Sequence, residues 1–290
     1  MADAVRRLDY RFRATLDDLD DWLATKGIKR RNRFRIYKEN LQKLDELLER
    51  KSPEQVHDDL FRTGRLTEIL STLVETIEIT ENWPVLRASQ VDIPNQLLET
   101  ALSGPADAFR ENETSNKGRN AMFELSVGAT LARAGLNPTF CTPNPDISFE
   151  MENLRIKVEC KRLLSEEKLF PRIKEAINQL SKSVRADSSD VGIVAVSVSR
   201  LFNPGDRVAF AKNGESPHAI LNRTLDLTLR KNEKKLGSLA KPWVSAVFFY
   251  LSSPFYVPNM GYTCQTCGVL FPMSCTEQPF LRRLADAMKL

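Results

Sequence analysis

Two carboxylates and a lysine at the end of one short stretch are placed to do chemistry together. The run Pro145-Asp146-Ile147-Ser148-Phe149-Glu150-Met151-Glu152-Asn153-Leu154-Arg155-Ile156-Lys157-Val158-Glu159-Cys160-Lys161 reads as a hairpin that turns at Glu152-Asn153. In that register Met151 opposes Leu154, Phe149 opposes Ile156 and Ile147 opposes Val158, so every inward pair is apolar on both sides. A slip of one residue would set apolar against charged side chains. The same register sets Asp146 opposite Glu159, with Cβ atoms about 5 Å apart. Lys161, two residues further, projects from the same face as Glu159. Carboxylates this close repel unless a cation lies between them or one keeps its proton. Hard oxygen ligands in this number suit Mg²⁺ or Mn²⁺, which retain several waters and take a substrate phosphate as a further ligand. Such a metal lowers the pKa of a bound water and neutralises charge on a phosphoryl oxygen. The lysine would orient the attacking water or stabilise the developing negative charge. The plainer reading of the same residues is a surface ion pair on a solvated hairpin face.

These residues need a scaffold, and the flanking sequence supplies its elements. A helix over 118–134 ends at Gly135, which suits a left-handed cap. On it Asn120, Glu124, Val127 and Gly128 share one stripe, which sets Glu124 among small and apolar neighbours; a carboxylate there needs a partner. After the hairpin an amphipathic helix spans 166–183, with Leu169, Ile173, Ala176, Ile177 and Leu180 on one face. Val191–Ser199 is apolar on both faces and reads as a central strand. Residues 200–217 read as loop, 218–236 as helix and 243–251 as a second buried strand; a β-rich stretch with three cysteines and a last helix over 277–289 follow. This order predicts an α/β (α+β) domain, a mixed sheet flanked by helices.

The helix, hairpin and helix together resemble the PD-(D/E)XK nuclease superfamily, the restriction-endonuclease-like fold. Pro145-Asp146 and Glu159-Cys160-Lys161 match its signature, with Glu124 as the acidic residue on the preceding helix. The resemblance covers residues 115–200. It implies that Asp146 and Glu159 ligate Mg²⁺ (or Mn²⁺), with the Cys160 backbone carbonyl as a further ligand and Glu124 as an outer or second-metal ligand. Lys161 becomes the water-orienting or charge-stabilising residue, and Gln179, Lys168 and Arg172 on the following helix become substrate contacts. The implied activity is metal-dependent phosphodiester hydrolysis, foremost a DNA endonuclease of restriction, defence or repair, acting as a homodimer or within a larger complex. The alternative is a catalytically inactive module on the same fold that binds nucleic acid or protein.

The N-terminal part has a different texture. Residues 1–100 hold two glycines and read as helices, with Leu41, Leu44, Leu47 and Leu48 at helical spacing and Ser52-Pro53-Glu54 as a helix start. Trp83-Pro84 and Ile93-Pro94 are expected to break the pattern, and the polar stretch 103–118 reads as a linker between a helical domain, 1–103, and the nuclease-like domain, 104–290. Lys26–Lys38 carries seven basic residues, among them Arg30, Arg31 and Arg33, and no acidic one. As a helix it could lie along a phosphate backbone; otherwise it pairs with the acidic run Asp17, Asp18, Asp20 and Asp21.

Cys264 and Cys267, with Cys275, look like part of a zinc site that would need a fourth ligand from His218, Cys141 or His57; buried thiols in a β-hairpin are the favoured reading. Five cysteines without a hydrophobic leader predict a reduced, cytoplasmic protein, and no apolar run reaches the twenty or so residues of a membrane span. No glycine-rich phosphate loop occurs, so an energy-dependent step would need a separate partner. With 42 basic and 38 acidic residues the chain has a formal charge of +4, which excludes a histone-like tail protein. The charge is uneven: residues 1–100 carry 17 basic and 19 acidic residues, and the remaining 190 carry 25 and 19.

Overall fold

The computed structural model describes residues 2–29, 32–112, 114–142, 144–184, 189–203, 208–211, 215–257, 261–273 and 278–289. Helices come first: α1 (Ala2–Thr25), α2 (Asn32–Leu48), α3 (Pro53–Arg62), α4 (Leu66–Ala88) and α5 (Asn95–Ala101). A 3₁₀ turn, Ala108–Arg110, leads to α6 (Lys117–Arg133). Strands β1 (Thr139–Phe140), β2 (Ile147–Met151) and β3 (Leu154–Arg162) follow, then α7 (Leu169–Ser183), β4 (Asp190–Ser197) and the short α8 (Ser199–Phe202). The chain continues through β5 (Ala209–Phe210), α9 (Pro217–Gly237), β6 (Val244–Val257), β7 (Gly261–Pro272) and α10 (Pro279–Met288). No helix among the described residues is long and apolar enough to cross a membrane.

The fold is α+β with one mixed sheet in the order β1-β2-β3-β4-β6-β5, with β7 on the other edge of β6. The hairpin pairs as its apolar pattern demands: Met151 with Leu154, Phe149 with Ile156, Ile147 with Val158. β3, β4 and β6 run parallel, joined through α7 and α9, and β7 folds back antiparallel along β6. β4 has no polar face because both of its faces are covered. Ile193 and Ala195 enter the core under the N-terminal helices and α6, while Val194 and Val196 enter the core under α7 and α9. β3 is different: Ile156, Val158 and Cys160 are in the first core, and Lys157, Glu159 and Lys161 take the α7 side. Its alternation is what frees one strand face for chemistry.

The hydrophobic cluster runs across the expected boundary at residue 103. Leu16, Leu23, Ile79 and Trp83 from the N-terminal helices lie in one buried cluster with Phe123, Ile147, Phe149 and Phe248. The polar stretch 103–118 is drawn into this packing: Glu111 and Asn116 are buried, and the N-terminus of α6 lies so close to the Ser103 carbonyl that a Cβ on Gly118 would collide with it. At Pro84 the expected break does not occur, because α4 runs on to Ala88. A proline inside a helix costs about 3 kcal/mol, whereas burying Trp83 and Leu86 returns roughly 1.5–3 kcal/mol each. α3 starts as expected: Ser52 and Gln55 form a reciprocal capping box with Pro53 in the first turn.

Candidate active site

The site is built where β2 begins and β3 ends. Asp146 stands one residue before β2, after a cis Asn144–Pro145 peptide. Its backbone N–H donates to the Val158 carbonyl at 3.1 Å, and its Oδ2 accepts the Cys160 backbone N–H at 2.6 Å. Those two bonds hold the Asp146 carboxylate against the strand that carries Glu159 and Lys161. Lys161 Nζ donates to Glu159 Oε1 at 2.9 Å. Glu159 is only 1% exposed, and its other oxygen, Oε2, is buried with no partner among the described residues.

Glu124 approaches from α6, and a glycine makes the approach feasible. A Cβ on Gly128 would sit 2.5 Å from the Phe140 ring, so glycine there lets β1 press directly on the helix one turn after Glu124. Burial acts on all three carboxylates, and the charge of Asp146 acts on the other two. Burial, followed by the charges of Asp146 and Glu159, pushes Glu124 up to about 8. Burial and then Asp146 push Glu159 up to about 7, against the opposing pull of Lys161. Burial also raises Asp146, although the Cys160 amide and Lys161 favour its charged form. Near neutral pH this cluster holds protons that a cation could displace.

The arrangement fits a hard divalent cation in its donor set, with an orphaned buried carboxylate oxygen beside a second carboxylate. Among the described residues no group of three or more His, Cys, Asp and Glu side chains is drawn together as a finished cage. Mg²⁺ does not require one, because it commonly keeps several waters and uses one or two carboxylates.

α7 faces this end of β3. Arg172, Glu175 and Gln179 share a helical stripe; Arg172 Nη1 donates to Glu175 Oε2 at 2.8 Å, and the Glu175 charge adds to the upward pressure on Glu159. Gln179 Oε1 is buried without a partner among the described residues. Lys168 closes the 3₁₀ turn before α7 and is exposed. Glu175 was not among the expected site residues; its position three after Arg172 and four before Gln179 is the signal that could have singled it out.

The basic stretch near the N-terminus is a different matter. Arg33 is 1% exposed and is bound to the Ala101 carbonyl and to Glu75, so it is a core residue and no part of a phosphate-facing stripe. α1 ends at Thr25, residues 26–29 are not helical and α2 begins at Asn32, so the basic run is not one continuous helix. Lys38 pairs with Asp17 at 2.5 Å and also reaches Asp20, and Arg35 pairs with Glu39: the acidic neighbours take up this charge. Arg30 and Arg31 lie outside the described residues.

The zinc reading meets a geometric obstacle. Cys264 and Cys267 are three apart on a continuous strand, so they point to opposite faces. Cys264 lies against Ser252 and senses Glu78 and Glu81 of α4, whereas Cys267 belongs to the core under α7 and α9. They cannot share one ion across the sheet; Cys275 lies outside the described residues. Burial pushes the Cys267 thiol up to about 12 and the Cys264 thiol higher, which favours the neutral forms over metal-ligating thiolates.

No protein-family model matches the sequence, and no curated protein matches it. What the site can do therefore rests on its own chemistry.

Proposed function

We propose that this chain is a metal-dependent nuclease with a restriction-endonuclease-like core, hydrolysing phosphodiester bonds, with DNA as the favoured substrate. The observation that carries the reading is the buried Glu159 carboxylate, with one oxygen on Lys161 and the other unpartnered, beside Asp146 and with Glu124 in electrostatic reach. A structural ion pair between Glu159 and Lys161 would not by itself bring three carboxylates raised together to one place.

Asp146 and Glu159 would hold Mg²⁺ or Mn²⁺, with the Cys160 carbonyl and Glu124 as further ligands. The ion would supply charge neutralisation at the phosphoryl oxygen and acidify a bound water. The chain's own residues do the positioning. The Cys160 amide fixes Asp146; the Lys161 ammonium, held at Glu159, stands where it can orient a water or meet developing negative charge. Glu124, at about 8, can accept or hold a proton close to neutrality. Gln179 on α7 offers an unpartnered oxygen, Lys168 in the 3₁₀ turn before it offers positive charge, and Arg172, paired with Glu175, lies on the same helix.

The test is cleavage of plasmid and single-stranded substrates with Mg²⁺ by wild type, Asp146→Ala and Lys161→Ala. Both variants should lose at least about 100-fold in rate, the scale of one electrostatic or acid–base contribution. Equal activity in all three would overturn the assignment. Absence of cleavage by wild type together with absence of Mn²⁺ binding would leave the inactive module as the reading.

A further inference from the structure

The excess positive charge of the chain lies on α7 and α9, the two helices that cover one face of the sheet. Residues 166–183 and 217–241 together hold ten basic and five acidic residues, an excess of five against four for the whole chain. The rest of the molecule is thus close to neutral, and this face is where a polyanion would be drawn. The two helices adjoin. Lys235 Nζ lies 5.4 Å from the centre of the Phe170 ring, and Lys231 Nζ is 3.3 Å from Glu166 Oε1. Trp243, two residues after Lys241, donates its ring N–H to the Ile177 carbonyl at 3.4 Å.

The fold turns these lysines outward. On α9 Leu221, Leu225, Leu229 and Leu236 are buried against the sheet, so Lys231, Lys234 and Lys235, three and four residues apart, form one exposed stripe. On α7 Phe170 and Lys174 are one turn apart on the flank that meets α9. Arg172, Glu175 and Gln179 occupy the opposite flank, toward Glu159. Lys174, Lys182, Lys234 and Lys241 are all exposed, and among the described residues none of the four makes an ion pair. The pair between Lys231 and Glu166 is 73% and 70% exposed, and so weak that it yields to another anion. The other acids on these elements leave the lysines uncovered. Glu175 pairs with Arg172, Asp226 pairs with Arg230, Glu233 lies on the far flank of α9, and Glu167 stands beside Glu166 at one end.

We propose that the surface across α7 and α9 binds the sugar–phosphate backbone of a nucleic acid, independently of its sequence, and leads it over α7 to the candidate active site. The side chains select the partner. Lysine ammoniums on flexible stems are point charges that meet phosphates without reading bases. Six exposed lysines spread over two helices, Lys174, Lys182, Lys231, Lys234, Lys235 and Lys241, match an extended polyanion and not a single phosphate group. A membrane contact would also need an apolar strip on the same face. Among the described residues of these helices, Leu227 is the single large apolar side chain that is exposed. The carboxylate cluster lies across α7, one helix diameter or about 10 Å away. The direction toward that cluster rests on the nuclease reading; the binding surface does not.

The experiment is fluorescence anisotropy of a labelled DNA duplex titrated with the full chain in a chelating buffer, over a range of salt, so that neither metal nor cleavage enters. Wild type and Asp146→Asn should bind alike, with affinity falling as salt rises. The triple variant Lys231→Gln, Lys234→Gln, Lys235→Gln should bind at least about tenfold more weakly at low salt, with a log–log salt slope shallower by about 2–3, near 0.9 for each phosphate contact removed. Adding Lys174→Gln and Lys182→Gln should deepen the loss. A control triple variant, Lys43→Gln, Arg50→Gln, Arg62→Gln, removes three exposed charges from the N-terminal helices. It should stay within about twofold of wild type at physiological salt, where distant surface charges are screened. Equal losses in the two triple variants, an undiminished slope in the first, or no binding of DNA by wild type overturns the proposal. Binding of phosphatidylserine vesicles without binding of DNA overturns it too. A wild type that binds through these lysines and cuts nothing refutes the nuclease reading and leaves the surface in place.

Discussion

Replacing Glu159 with Gln should stabilise the metal-free protein, the reverse of what a structural ion pair would do. Glu159 is 1% exposed, and burial with the Asp146 charge lifts its pKa from 4.5 to about 7. A tenfold change in proton affinity is worth about 1.4 kcal/mol, so an ionised Glu159 costs the folded state about 3 kcal/mol, with the attraction of Lys161 already included. The sign follows from proton counting. A raised folded-state pKa means the native protein holds a proton that the unfolded chain has released, so stability is complete below about pH 4.5 and falls as pH rises through about 7. Urea denaturation in a chelating buffer should therefore show Glu159→Gln and wild type close together near pH 4.5. By pH 8 the variant should be about 3 kcal/mol more stable. Adding Mg²⁺ at one hundred times its dissociation constant should return about 2.7 kcal/mol to wild type and little to the variant. A variant less stable than wild type at pH 8 would make Glu159 an ordinary partner of Lys161 and refute the reasoning.

Three further outcomes follow from other parts of the structure. Glu75→Gln leaves Arg33 and Arg119 facing each other in the core and should destabilise by about 3–5 kcal/mol; a loss below about 1 kcal/mol in urea titration would show that the cluster is not electrostatically tied. Gly128→Val puts a side chain into the Phe140 ring and should cost about 1–3 kcal/mol. Combined with Phe140→Ala it should cost less than the two changes summed, and simple additivity would place the clash elsewhere. Cys264→Ala and Cys267→Ala should leave the metal content of the purified protein unchanged, because the thiols open into opposite faces; stoichiometric zinc lost from either variant would contradict that placement.

Much of the site was legible because β-structure has a short period. Pairing Met151 with Leu154, Phe149 with Ile156 and Ile147 with Val158 needs only alternation and an apolar inner face, and it sets Asp146 beside Glu159 at once. The left-handed cap at Gly135, with φ of +78°, and the capping box at Ser52 are equally local, so the helix ends they mark were readable. The extended reach of β6 to Val257 and the short strand β5 were not readable. The apolar signal of β6 fades at Ser252, Ser253 and Pro254, where pairing with β7 sustains the strand, and β5 pairs only beyond them, at Phe255 and Tyr256.

Local pattern by itself determined the hairpin register, the strand that is buried on both faces and the residue types at the candidate site. Tertiary structure alone decided which charges are solvated. Arg33 and Lys38 belong to the same basic run, yet one is buried against Glu75 and the other reaches out to Asp17 and Asp20. Cys264 and Cys267 have a spacing that suits metal binding in a turn, and only a continuous strand separates them into different cores. Arg119, Arg162 and Arg200, far apart in sequence, converge on one cavity because the ends of β3 and β4, the middle of β6 and the helices α4 and α6 meet there. The physical reason is range. Alternation and capping act over a few residues, whereas burial and charge balance depend on groups that only the folded chain brings together.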